Sequence, residues 1–287
     1  MVNDPKWAPG SKQYVKRIGA RVATGQNAEA EVSLSPDLDQ DKQRQLEDFG
    51  ISWGSFDVDL IKPSTQDRAR HRFRGLLPEL VWNTAALEGN TFTLPEVRTL
   101  LDGVTVGGRR TDDENQILAL SAAYRRLDEM VEGGTFAWSK GVSDELHGLV
   151  AVHEAIDAGS FRGEKRTTGG GNVRLARGGM VEGTPHGEGG EFLRAHFERL
   201  VGHLEEIDDP RRRALVYFAS ATRRQFYFDG NKRAARLMMA GGLMSSGYDT
   251  VNVPFARKLE FNNALDEMFT TDDATSLLWF LGTCTWD

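Results

Sequence analysis

With 287 residues, 39% of them hydrophobic and 27% charged, the chain is long enough to bury a full core as one large domain or two small ones. The sequence holds no run of about 18 apolar residues and no signal-peptide pattern, which argues against a membrane partner and leads us to expect a soluble, cytoplasmic protein. A net charge of −7 argues against nucleic acid as the main partner, and the lone Cys284, unable to form an internal disulfide or a cysteine metal site, reads as a small core hydrophobe.

Residues 1–63 read as an N-terminal extension, mixed in composition apart from a short polar helix at Pro36 to Phe49. From Ser64 the pattern turns helical, with Phe73, Leu76, Leu77, Leu80 and Val81 returning on one face at three- and four-residue steps. Thr93-Leu94-Pro95-Glu96 and Thr111-Asp112-Asp113-Glu114 both have the form of capping boxes, and the helix after the first should stop at Gly103. Further helices are expected at about 143–157, 190–206, 210–224, 231–246, 256–269 and 273–284, with Asp209 as a cap and Pro210 in the first helical position. Between Ser160 and Gly190 a glycine-rich stretch carries the alternation Asn172-Val173-Arg174-Leu175-Ala176-Arg177, which predicts a small exposed hairpin, or flap, at about 167–182. The fold class is therefore all-α, a helical bundle with a β-hairpin flap, in which residues 64–287 form one domain.

Chemistry concentrates in Gln225-Phe226-Tyr227-Phe228-Asp229-Gly230-Asn231-Lys232-Arg233-Ala234-Ala235-Arg236. Gly230 permits a tight turn into a helix whose first N–H groups and dipole favour an anion, a geometry suited to a di- or triphosphate. Asp229 beside that site would hold Mg²⁺ together with phosphate oxygens, and Arg233 and Arg236, three apart on one helical face, would clamp the phosphates. Arg223, Arg224, Lys232, Arg233 and Arg236 make a local basic cluster in an acidic chain. The alternative is an ordinary turn with solvated basic residues; the apolar helix after it, Leu237-Met238-Met239-Ala240, argues against it, because cations on a central helix need partners.

The string Phe228-Asp229-Gly230-Asn231-Lys232-Arg233-Ala234-Ala235-Arg236 resembles the end of the Fic motif, His-Pro-Phe-x-(Asp/Glu)-Gly-Asn-(Gly/Lys)-Arg-x-x-Arg, and the likeness extends over roughly residues 65–285. It implies that Asp229 binds Mg²⁺, that Gly230 and Asn231 help form an anion hole with Lys232 alongside, and that Arg233 and Arg236 contact the outer phosphates of ATP. Members mostly transfer AMP from ATP to a hydroxyl of a target protein, which the flap would align by adding a strand. Upstream, Asn83-Thr84-Ala85-Ala86-Leu87-Glu88-Gly89-Asn90 resembles the family's inhibitory motif, (Ser/Thr)-x-x-x-Glu-(Gly/Asn), on a helix at about 76–90. The resemblance implies that Glu88 pairs with Arg236 and keeps the γ-phosphate from its productive pose; the other reading is a helix ended by Gly89 with Glu88 solvated.

Where the family's catalytic histidine stands, this chain has Gln225, followed by Phe226 and Tyr227 in place of Pro and Phe. A glutamine amide donates and accepts hydrogen bonds but has no usable pKa near neutrality, so it cannot take the proton of an attacking hydroxyl. His147 or His186 would have to supply the base instead. Lys232 is shared with the related Doc toxins, which transfer phosphate, but those keep their histidine. Two functions therefore compete: an ATP-binding enzyme with weakened or altered AMP transfer, and a pseudoenzyme or partner-binding module in which ATP is a conformational ligand. A third reading is a purely structural helical protein.

Overall fold

Helix α9 (Asn231–Ser245) has almost no polar side: Leu237, Met238, Met239, Ala240, Leu243 and Met244 are all buried, so it can only lie at the centre. Gly241 and Gly242 let neighbours come close, since a Cβ at either position would run into the Phe136 or the Trp138 ring. The computed structural model describes residues 36–285 of the chain.

Around this axis stand ten further helices among the described residues: α1 (Pro36–Phe49), α2 (Gln66–Gly75), α3 (Leu77–Leu87), α4 (Leu94–Leu101), α5 (Thr111–Glu132), α6 (Lys140–Val150), α7 (Glu191–His203), α8 (Pro210–Arg224), α10 (Lys258–Thr271) and α11 (Thr275–Gly282). α8 runs along α9 as its main partner, α5 and α6 cover another side, and α10 and α11 pair with each other and reach α8. Asp209 caps α8 as expected, its carboxylate accepting from Arg211 N at 2.8 Å ahead of Pro210. Glu96 closes the capping box of α4 by accepting from Thr93 N at 2.8 Å. Among the described residues, no helix is long and apolar enough to cross a membrane.

Residues 1–35 of the expected extension lie outside the described residues, and its remaining part packs onto the helical body. Phe49, Ile51, Phe56, Val58 and Ile61 are buried in the same hydrophobic cluster as α8, α9 and α11. Ser52 N donates to Asp272 O and Ser64 N to Gly247 O, both at 2.7 Å.

Three expectations need correction. Thr111 is the first residue of α5 rather than its cap, and no side chain caps that helix, because Arg110 holds the N-cap position. The helix expected at 143–157 is α6, which begins after Ser139, whose hydroxyl accepts from Val142 N, and ends at Val150; residues 151–159 are successive turns. The basic cluster divides: Arg223 binds Asp272 at 2.6 Å and the Arg224 guanidinium lies against Gly50, whereas Lys232, Arg233 and Arg236 face other carboxylates.

The flap forms as a short antiparallel hairpin, β1 (Val173–Arg174) with β2 (Met180–Val181), pairing Val173 with Val181 and Arg174 with Met180. Buried Asp266 on α10 anchors its turn by accepting from Ala176 N at 3.0 Å and Arg177 N at 2.8 Å.

Candidate nucleotide site

Gln225 ends α8 in the left-handed region (φ 53°, ψ 59°), a backbone state that costs a non-glycine residue about 1 kcal/mol or more. The loop to α9 is fixed by Asn231, which accepts from Tyr227 N at 2.8 Å and donates to Tyr227 O at 2.8 Å and to Gln225 Oε1 at 3.0 Å. Gln225 Nε2 donates to Thr222 O at 2.7 Å. Both halves of the amide are thus engaged within the loop, and the orientation is set by chemistry, since a carbonyl can only accept.

Tyr227 stacks on His147 with ring centroids 3.7 Å apart, and its hydroxyl meets Ser143 at 2.7 Å and donates to Asp144 at 2.9 Å; burial raises its pKa well above the usual value. His147 Nδ1 accepts from Gly159 N at 2.9 Å, so Nε2 carries the proton and donates to Asp229 O at 2.7 Å. Burial, only partly offset by that hydrogen bond, pushes its pKa down to about 4. With both ring nitrogens occupied, His147 holds the loop and has no nitrogen to offer a substrate. His186, at the base of the flap, has Nε2 3.2 Å from Thr168 O.

Gly230 (φ 75°) caps α9, and a Cβ there would lie 3.0 Å from the Ala151 side chain, so the close packing of α6 against the loop requires glycine. The first turn of α9 directs N–H groups without intrahelical partners toward the cleft. The Asp229 carboxylate is 59% exposed beside them. Among the described residues no group of three or more His, Cys, Asp or Glu could cage a metal, so a Mg²⁺ here would rest on Asp229 together with ligand oxygens, which suits its reluctance to shed water.

The three cations of α9 differ in their partners. Glu88, the residue just past α3 and 19% exposed, lies 3.0 Å from Lys232 Nζ and 3.5 Å from Arg236 Nη1. Burial works against its charge, but Lys232, Arg236 and Arg233 together outweigh it and draw the carboxyl pKa down to about 2. The solvated alternative for Glu88 is thus excluded, although Gly89 does follow with φ 99°. Arg236, 5% exposed, has no hydrogen-bond partner at any of its three guanidinium nitrogens among the described residues; its guanidinium sits over the Phe261 ring at 5.4 Å. Arg233, 3% exposed, is the opposite: Nη1 donates to Val150 O at 3.1 Å and to Glu154 at 2.8 Å, and Nη2 to Glu154 at 2.6 Å. Glu154 had no motif to announce it; it falls in the run of turns where α6 was expected to continue.

The rest of the upstream motif is built into the scaffold. The Thr84 and Tyr124 hydroxyls share a buried hydrogen bond of 2.8 Å, and Asn90 Nδ2 donates to Asp113 O and Gln116 Oε1, both at 2.9 Å. Buried Arg162, also without a sequence signal, joins flap to loop: it donates to Gln225 O at 2.8 Å, Thr184 O at 2.7 Å and Gly170 O at 3.2 Å. The cleft itself has two adjoining lobes of about 280 and 520 Å³, a size typical of ligand sites. Both are lined by Glu88, Asn172, Gln225, Asp229 and Lys232, and the larger one extends under Val173 to Ala176 of the flap.

A central helix that starts at a glycine under a hairpin, inside an all-helical body, has counterparts among solved structures. A Fic domain containing signaling protein from Bacteroides thetaiotaomicron superposes with a TM-score of 0.63 at 21% identity, over 79% of this chain and 88% of that one. Fic-1 from C. elegans gives 0.62 at 21% identity, over 87% of this chain and 70% of that one. The fold is that of the Fic domain. Proteins named "Protein adenylyltransferase Fic" from Drosophila ananassae and Drosophila melanogaster are each 27% identical over 209 residues, 71% of this chain. The chain spans 39% and 40% of their respective lengths. No protein-family model matches it.

Proposed function

We propose that this Fic-fold chain binds ATP with Mg²⁺ in the α9 cleft, that Glu88 opposes that binding, and that AMP transfer to protein hydroxyls is strongly weakened because Gln225 stands where the base should be. The observation that carries the reading is Arg236: a buried guanidinium on the second turn of α9 with no hydrogen-bond partner among the described residues and one carboxylate, Glu88, at 3.5 Å. A buried cation in that state is destabilising unless an anion completes it, and a phosphate would. Its partner Glu88 lines the cleft together with Gly230, Asn231, Lys232 and Arg233. The relatives named adenylyltransferases supply the reaction class.

In that reaction a target hydroxyl oxygen attacks the α-phosphorus, the bond to the α–β bridging oxygen breaks, pyrophosphate leaves and the hydroxyl proton needs an acceptor. Bound Mg²⁺ would neutralise phosphate charge. Losing a positioned base costs roughly 100- to 10,000-fold, and the Gln225 amide, bonded to Thr222 O and Asn231, cannot replace it. That inward bonding favours a second reading, in which the cleft binds nucleotide without turnover and the hairpin docks a partner protein along its edge at about 167–182.

Calorimetric titration of ATP with MgCl₂ tests the first step. The Glu88→Gly chain should bind at least about tenfold more tightly than wild type, since a charged partner competing for Arg236 has gone. Equal affinity in the two chains would contradict the role of Glu88.

A further inference from the structure

Arg233 and Arg236 lie three residues apart, yet among the described residues Arg233 makes three hydrogen bonds and Arg236, with Glu88 at 3.5 Å, makes none. We infer that Glu154 is a second carboxylate lock on the same nucleotide site, holding Arg233 away from phosphate while Glu88 faces Arg236. This rests on the nucleotide reading above. Both Nη1 protons of Arg233 are spent on Val150 O and Glu154 and one Nη2 proton on Glu154, while among the described residues Nε–H and the second Nη2–H make no hydrogen bond, Asp229 Oδ1 lying 3.7 Å from Nη2. Glu154 takes the end of the fork, where Nη1 and Nη2 donate side by side, so a phosphate gripped by that end of Arg233 must displace Glu154.

Glu154 is placed to move. It belongs to the turns at 151–159, outside any helix, between Val152 and Ile156 at 53% and 51% exposure, while Ala151 and Ala155 hold the segment to the core on either side. The two locks are also joined. Gln116 on α5 accepts from Asn90, two residues beyond Glu88, and donates to Glu154 Oε1, each at 2.9 Å. Opening at Glu88 that shifts Asn90 therefore loosens Glu154 through Gln116, and release of one lock favours release of the other.

The test is a double-mutant cycle read by calorimetric titration of ATP with MgCl₂ into the full chain. In the Glu88→Gly background, Glu154→Ala should raise affinity about tenfold further, the effect of removing a charge-assisted bidentate partner, and the isosteric Glu154→Gln should raise it less. The gain must disappear in an Arg233→Met background, because the lock acts only through that side chain. Thermal melts of each variant establish that it is folded, and Glu154→Gln, which keeps the side-chain shape, carries the test if Glu154→Ala is not. If Glu88→Gly binds ATP and Glu154→Ala adds nothing, lowers affinity, or adds the same with Arg233→Met, the second lock is wrong and the nucleotide reading stands. If no variant binds ATP, both fall.

Discussion

At the scale of single residues, the site is defined by which polar atoms are spent and which are free. His147 illustrates a spent one: with Nδ1 accepting and Nε2–H donating, it must stay neutral to hold the loop. Its folded pKa of about 4 lies below the ordinary imidazole value of about 6.5, so the unfolded chain binds the extra proton first. The stability it contributes is complete above pH 6.5 and is lost as pH falls from there toward 4, in total on the order of 3 kcal/mol. His196, also lowered to about 4 by burial and by Arg224 and Arg199, acts in the same window. His147→Gln should therefore melt lower than wild type near pH 7, with the gap narrowing toward pH 4.5. A constant gap across that range, measured by circular dichroism, would show that His147 titrates freely.

Glu88 follows the same sign with a different range. Its carboxyl is held at about 2, below the usual carboxylate value, so its contribution is present above about 4.5 and fades only as pH drops toward 2. Near neutrality its contact with Lys232 and Arg236 is not a proton switch; only a competing anion or a movement of the α3 end could release it.

At the scale of elements, the flap is set by its anchors rather than by its two-residue strands, which are too short to hold a hairpin alone. Asp266 and Arg162 fasten its tip and base. Asp266→Ala should speed amide hydrogen exchange across residues 173–181 by about tenfold, the loss of two charge-assisted bonds, and leave α9 protected. Unchanged exchange in the hairpin would mean that its cross-strand bonds suffice. The elements differ in how legible they were. α8 and α9 could be read nearly to the residue because Asp209-Pro210 and Gly230 are stereochemical punctuation and the apolar run of α9 admits one placement. α6 was misplaced because no local breaker marks its end at Val150, where the chain turns at the Ala151 contact with Gly230. Thr111 reads as a cap, but the chain begins its helix there and leaves Arg110 in the cap position.

At the scale of the whole molecule, the long central helix brings together what the sequence keeps far apart. Glu88 and Glu154 reach neighbouring positions of α9, one from the end of α3 and one from the turns after α6. The loop at 225–236 and the Glu88 segment were both visible as motifs, and their meeting was expected from a family resemblance. Glu154, Gln116 and Arg162 were not legible, because a carboxylate, an amide and a buried arginine on unrelated segments gain meaning only from tertiary distance. The Fic fold accounts for the cleft and hairpin together, and the proposed loss of transfer turns on Gln225.

The proposed role of Gln225 is tested by incubating Glu88→Gly and Glu88→Gly/Gln225→His chains with MgCl₂ and ATP labelled on both the α- and γ-phosphates, following covalent label by intact mass. AMP incorporation is expected in the chain with the restored histidine and, because a positioned base is worth roughly 100- to 10,000-fold, at most a trace with Gln225 in place. Equal incorporation in both chains would contradict this, because transfer would then proceed through a base other than the residue at position 225.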